Sequence, residues 1–273
     1  GIYPGHQIFS ISLTMFRTVV LALAVGAASA FAPSISSRAT PVSTQATVKD
    51  LETLAGELNP VVKFWDPLNL SEQEFWGKSN EATIGWLRQS EIKHGRIAMF
   101  AFVGYIAQAN GVHWPWPMTL SGDSFPSMSS PPEQWDALPE ASKWQIFGLI
   151  AFLELWDEST GTHYMAGGKP GEFSPFKGGE VEMAHPVPFN YFDPFGLSKN
   201  KSAEAKARGL KAEINNGRLA QIGIFGFLAE SKIEGSVPAL SGLGIQHYDG
   251  DYMAPFASNF HTFLEPVGSM LSN

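Results

Sequence analysis

Two stretches set ionisable side chains directly beside long apolar runs. Residues 90–106 read SEIKHGRIAMFAFVGYI, and residues 213–226 read EINNGRLAQIGIFG. Glu, Ile, Gly, Arg, Ala and Gly recur in register, so Glu91 answers to Glu213, Gly95 to Gly217 and Arg96 to Arg218. Charged groups in apolar surroundings either pair with one another or bind something. Glu91 and Arg96 are five apart, about 140° around a helix, and cannot pair with each other. The same holds for Glu213 and Arg218. Left alone in hydrocarbon, each charge would cost at least about 3 kcal/mol. Two helices that cross face to face remove that cost: Glu91 meets Arg218, and Arg96 meets Glu213. Gly95, Ala98, Gly217 and Ala220 are small enough to let the backbones approach. Such pairs fix register rather than add much net stability, because desolvation offsets the attraction.

Three residues beyond each Glu stands His94 or Asn216, on nearly the same helix face. Both are neutral donors, and a glutamate held by an arginine is formally neutral too. Each helix therefore carries two uncharged N or O ligands about one turn apart. A free Zn²⁺ site wants three or four convergent ligands, and a free Mg²⁺ wants waters and carboxylates. Single donors spaced along helices suit a metal already charge-balanced by an equatorial macrocycle, such as magnesium in a chlorin. Taken singly, His94 also fits a satisfied core histidine and Asn216 a helix–helix hydrogen bond; the matched registers favour ligation.

Three helices must position these groups, at about 81–109, 141–159 and 203–232. Gly111, Pro115 and Pro117 end the first, and Gly235 and Pro238 the third. The stretches 111–139 and 161–190 read as irregular connections, and Val237–Leu243 as one short amphipathic turn. Phe64-Trp65-Asp66-Pro67-Leu68 precedes the first helix and Tyr191-Phe192-Asp193-Pro194-Phe195 the third. The repeat is thus a module of turn, polar ramp and helix, present twice with a different helix between, and it predicts pseudo-two-fold symmetry. Hydropathy is marginal: the apolar run after Arg96 is shorter than the roughly 20 residues a bilayer needs. Charge asymmetry says more. The first connection holds Asp123, Glu133, Asp136 and Glu140 but no Lys or Arg, whereas Lys78 and Arg88, and Lys177 through Lys211, lie toward the amino ends of the first and third helices. That alternation predicts three spans with the amino terminus on the positive side. A soluble helical bundle is the competing architecture.

The chain has 273 residues, a net charge of −8 and no cysteine. Disulfides, thiolate metal sites and a cysteine nucleophile are excluded, and the acidic balance argues against a nucleic-acid partner. Gly1 is not a start methionine, so the first residues read as upstream translation or a fragment end. From Met15 come Arg17, the apolar run Val19–Ala28 and the small-residue site Ala28-Ser29-Ala30, the pattern of a signal peptide. Residues 31–49 are rich in Ser and Thr without an acid, as transit peptides are. A signal followed by a transit segment over 1–49, both removed, fits import across several membranes. An ordinary secretory signal with a disordered start is the alternative, and one domain is expected over 50–273.

The motifs E-I-K-H-G-R-I-A-M and E-I-N-N-G-R-L-A-Q resemble the first and third spanning helices of the light-harvesting chlorophyll a/b-binding superfamily. Ala-Ser-Ala-Phe-Ala-Pro at 28–33, and Asn215 before Asn216, resemble its fucoxanthin/chlorophyll a/c branch in algae with complex plastids. The resemblance runs from about Val61 to Leu243. It implies an all-α membrane protein of the thylakoid with three transmembrane helices, the first and third crossing as a pair, and short amphipathic helices. It implies a non-enzymatic antenna holding chlorophyll a, chlorophyll c and a fucoxanthin-like carotenoid, set among thylakoid lipids, neighbouring antenna proteins and a photosystem I or II core. Glu91, His94, Glu213 and Asn216 are its expected chlorophyll Mg ligands. Gln145 and Glu154 match the middle-helix ligands in type, but nine residues put them on opposite sides. Glu230 stands where the third helix often has Gln, and would need protonation or a counter-charge such as Lys232. His247 is a weak match to a later histidine. An energy-dissipating member of the superfamily is the alternative function. A transporter is a remote one, since the copies are parallel and no helix is broken. No nucleophile–base set or phosphate loop marks an enzyme.

Overall fold

The computed structural model describes residues 47–177, 190–252 and 255–256. The expected signal and most of the expected transit segment therefore lie outside the described residues. No strand occurs among the described residues. Five α-helices are present there: α1 Val48–Leu58, α2 Asn80–Ala109, α3 Pro131–Asp136, α4 Glu140–Ser159 and α5 Ala203–Lys232. Single 3-10 turns stand at Leu70–Glu72, Phe75–Gly77, Tyr164–Ala166 and Pro238–Leu240. The stretch 111–139, expected to be irregular, contains α3. Its first turn holds Pro131 and Pro132, where a missing N–H breaks no helical bond.

Among the described residues no helix is both long and apolar enough to cross a membrane. α2 and α5 have 30 residues each, about 45 Å at 1.5 Å per residue. The charged residues inside them lower their hydropathy.

The chain divides into two compact units. The first comprises the residues up to Phe100 together with Leu153–Gln221. In it α1 begins with a capping box: Asp50 N–H donates to the Thr47 hydroxyl, and Thr47 N–H donates to the Asp50 carboxylate at 2.8 Å. Leu58 and Leu54 of α1 pack against Ile92 and Ile214. Lys211 pairs with Glu57 at 2.8 Å, and Asn215 Nδ2 donates to the Leu58 carbonyl at 3.2 Å. That last bond satisfies a carbonyl that the end of a helix leaves open.

The second unit comprises Ala101–Phe152 and the residues from Ile222 onward. Phe102 and Tyr105 stack on Phe227, ring centroids 5.0 and 5.2 Å away. The Phe102 ring occupies the space that a Cβ on Gly223 would need. Tyr248 is buried, and its hydroxyl donates to Asp136 at 2.9 Å. Burial first, and then that carboxylate, push the Tyr248 phenol well above its ordinary value.

Candidate functional site

In the first unit α2 and α5 meet at two glycines. A Cβ on Gly95 would lie 3.1 Å from the Gly217 Cα, and one on Gly217 would lie 2.8 Å from the Gly95 Cα. Ala98 and Ala220, one turn on, are both buried. The absence of side chains at this crossing is what lets the flanking charges reach across it. Arg96 Nε donates to Glu213 Oε1 at 2.6 Å. Arg218 Nε and Nη2 both reach Glu91 Oε1, each at 2.7 Å. The pairs are related by exchange of the two helices, as the duplicated motif requires.

Their surroundings differ. The Arg96 and Glu213 side chains are 23% and 12% exposed, those of Arg218 and Glu91 43% and 35%. Arg96 Nη1 also donates to the Gly171 carbonyl at 2.8 Å, and Gln89 accepts from the Gly171 N–H. The loop after α4 is thereby held on both sides of one residue, and it covers the Arg96 pair.

In each pair the arginine engages only one carboxylate oxygen. Oε2 of Glu91 and of Glu213 stays free among the described residues. His94 Nδ1 lies 2.7 Å from the Ser90 carbonyl. A carbonyl only accepts, so Nδ1 donates to it, and in the neutral ring that tautomer leaves the lone pair on Nε2. Asn216 is exposed with no protein partner among the described residues. Four neutral or neutralised donors therefore flank the crossing, two from each helix. No three His, Asp or Glu converge on a metal-ion site among the described residues. This donor set fits a metal that needs one axial atom from the protein, as magnesium in a chlorin does.

The two Asp-Pro turns are built alike. Asp66 accepts from the N–H groups of Leu70 and Ser71, both at 2.9 Å. Asp193 accepts from Leu197 at 2.6 Å and Ser198 at 3.0 Å, and from the Ser198 hydroxyl. Burial works to raise the Asp66 carboxyl, but the Ser71 and Leu70 donors outweigh it and hold it below its ordinary value. Asp193 is held low in the same way by Ser198 and Leu197, with Lys199 adding its charge. Ser71 and Ser198 are both buried. The sequence repeat is thus a repeat of hydrogen bonds.

The model of the family described as chlorophyll A-B binding protein matches residues 50–232. The chain belongs to this chlorophyll-binding family. Members of the family bind pigment and are not enzymes. A fucoxanthin-chlorophyll a-c binding protein of Trieres chinensis is 31% identical over 230 residues, covering 81% of this chain and 97% of the relative. Protein F of that name from Phaeodactylum tricornutum is 32% identical over 218 residues, 80% and 96% of the two chains. Protein F of Macrocystis pyrifera is 32% identical over 197 residues, covering 71% and 81%.

The remaining candidate ligands of this chlorophyll-binding chain are not equivalent. Gln145 is exposed, its amide donating to the Ala141 carbonyl at 3.2 Å. Glu154 instead binds Lys93 Nζ at 2.6 Å. The expectation of a free Glu230 countered by Lys232 does not hold. Glu230 is buried, with Oε1 accepting from Gly235 N–H at 2.9 Å and Oε2 from Val237 N–H at 2.8 Å. It closes the turn after α5, where backbone donors already satisfy its charge. Lys232 Nζ turns away to the carbonyls of Asp249 and Gly250. His247 pairs with Asp249 at 2.7 Å.

Sequence reasoning passed over Lys93. Its ammonium lies 2.7 Å from Asp157 as well as 2.6 Å from Glu154, and Gln89 Nε2 donates to Asp157 at 3.2 Å. Glu154 and Asp157 thus fasten α4 to α2 through Lys93. The available signal was the lysine itself, a third charge between Glu91 and Arg96 for which the pairing left no partner.

Proposed function

We propose that this chain is a light-harvesting antenna that binds chlorophylls a and c and a fucoxanthin-like carotenoid and passes excitation energy to a photosystem. Glu91, His94, Glu213 and Asn216 would each supply one N or O atom to a chlorophyll magnesium, with Gln145 as a further donor. What supports this reading is the crossing of α2 and α5, where each arginine neutralises a glutamate and leaves one oxygen free. Kinship with the fucoxanthin-chlorophyll a-c binding proteins, whose names carry both chlorophylls and a chloroplast location, points the same way.

The protein is a plastid thylakoid protein in this reading, with α2, α4 and α5 as spans and the amino terminus in the stroma. Charge inside the helices lowers hydropathy, but the pairs at the crossing neutralise it where it would be costly. Large apolar side chains lie outward on the same helices, among them Ile97, Phe100, Leu149, Leu219, Ile222 and Phe225. Partners are thylakoid lipids, neighbouring antenna proteins and a photosystem core. The test is a fluorescence excitation spectrum of the purified pigment–protein. Light absorbed by chlorophyll c and carotenoid should emerge as chlorophyll a emission. Emission that follows only direct excitation of chlorophyll a would refute energy transfer, and a colourless folded protein would refute pigment binding.

A further inference from the structure

The first unit contains a cavity of about 620 Å³ between α1, the Asp66 turn and α2, within the roughly 300–1,000 Å³ usual for cofactor sites. Leu51, Leu54, Leu58 and Leu87 give it an apolar wall. Its charged lining is Lys63, Asp66, Arg88, Glu91 and Arg218, and His94 also faces it. Both acids are already engaged: Glu91 by Arg218, and Asp66 by the N–H groups of Leu70 and Ser71. Arg88, half-buried, makes no hydrogen bond or ion pair among the described residues. The other acid whose charge reaches it is Asp50, and Asp50 is committed to the capping box of α1. Lys63 has no ion pair there either. The lining therefore carries uncompensated positive charge, and a guanidinium offers a rigid fork of donors that matches a carboxylate.

A ligand for this cavity must be largely apolar and must carry an anionic oxygen pair. In the pigment-binding reading it would also bring a metal to His94 on the same wall. Arg88 and His94 are six residues apart, about 9 Å along the helix axis, so a ligand that touches both is broad. Chlorophyll a has its side-chain acid esterified to a long alcohol, whereas chlorophylls of the c type keep the free acid. We infer that Arg88 makes this cavity selective for a chlorophyll bearing a free carboxylate over an esterified one. The inference rests on the pigment-binding reading above and adds which pigment class this cavity takes and why.

The test is reconstitution of the full chain with chlorophyll a, carotenoid and either chlorophyll c or its methyl ester, with bound pigments extracted and counted. The wild type should favour the free acid over the ester about tenfold or more, the worth of one charge-assisted hydrogen bond. Arg88→Gln should lose that preference, with a lower ratio of chlorophyll c to a, while Arg88→Lys keeps part of it. Equal uptake of acid and ester by the wild type would overturn the inference without any variant needing to fold. So would an unchanged c-to-a ratio in Arg88→Gln. Phosphatidylglycerol added to the mixture tests the other source of an anionic group: displacement of chlorophyll c from the wild type but not from Arg88→Gln would assign Arg88 to a lipid headgroup and overturn the inference. A chain that takes up no chlorophyll at all would instead overturn the pigment-binding reading.

Discussion

Gly217→Ala asks whether the close approach of α2 and α5 is required. The added Cβ would stand 2.8 Å from the Gly95 Cα and 3.3 Å from its carbonyl carbon. Both are backbone atoms, so no side chain can turn aside and one helix must shift. Overpacking of this kind costs about 1–3 kcal/mol. Alanine also returns about 0.5–1 kcal/mol of helix propensity, which would blur the result for a single variant. Gly209→Ala removes that ambiguity. It lies on the same helix with nothing within 4 Å of its new Cβ, so it gains the propensity without the clash. The difference between the two variants should then be the clash alone, about 1–3 kcal/mol. Thermal unfolding followed by circular dichroism reads it at about 2–4 °C per kcal/mol for a domain of this order of size. Gly217→Ala should melt lower than Gly209→Ala, and its two ion pairs should weaken together. Equal melting temperatures would show that the glycine contact does not set the helix separation.

The two ion pairs should respond unequally. Arg96→Leu strands Glu213, whose side chain is 12% exposed, and should cost about 3–5 kcal/mol. Arg218→Leu frees a Glu91 that is 35% exposed and lies outside the cover of the Gly171 loop, so it should cost less than Arg96→Leu. Chemical denaturation of both variants checks the order, and a reversed order would contradict the role of the Gly171 loop as a cover. The Asp-Pro turns should respond to acid. Both carboxyls sit below their ordinary values in the folded chain, so their contribution is complete above about pH 4 and is lost as pH falls through the folded values. The stability advantage of wild type over an Asp66→Asn, Asp193→Asn double variant should therefore shrink on acidification, and an advantage that grew would reverse the sign of the argument.

The parts of the fold legible in the sequence are those written twice. Five-residue spacing of Glu and Arg, repeated with Gly between, leaves cross-helix pairing as the way to neutralise both charges, and the structure brings Glu91 to Arg218 and Arg96 to Glu213. The Asp-Pro turns were visible as turns for the same reason. What they do was not: Ser71 and Ser198 look like ordinary loop residues until the backbone folds them under the carboxylates. Interactions made once, between stretches distant in sequence, left no pattern. Lys93 meets Asp157 across 64 positions, so no local spacing marks the contact between α4 and α2. Glu230 reads as a helix-end donor because residue type does not reveal that the chain returns with two backbone N–H groups for it. Asn215 was noticed only as part of a motif, and its bond to Leu58 depends on where α1 docks.

The central claim is that the donors flanking this crossing each carry one chlorophyll. Chlorophyll counted per chain in wild type, His94→Leu, Asn216→Leu and the double variant tests it most directly. Leucine keeps bulk and helix propensity but offers no lone pair, and neither residue belongs to an ion pair. The account predicts one chlorophyll fewer in each single variant and two fewer in the double, with helical content unchanged. A full pigment complement in both single variants would contradict it.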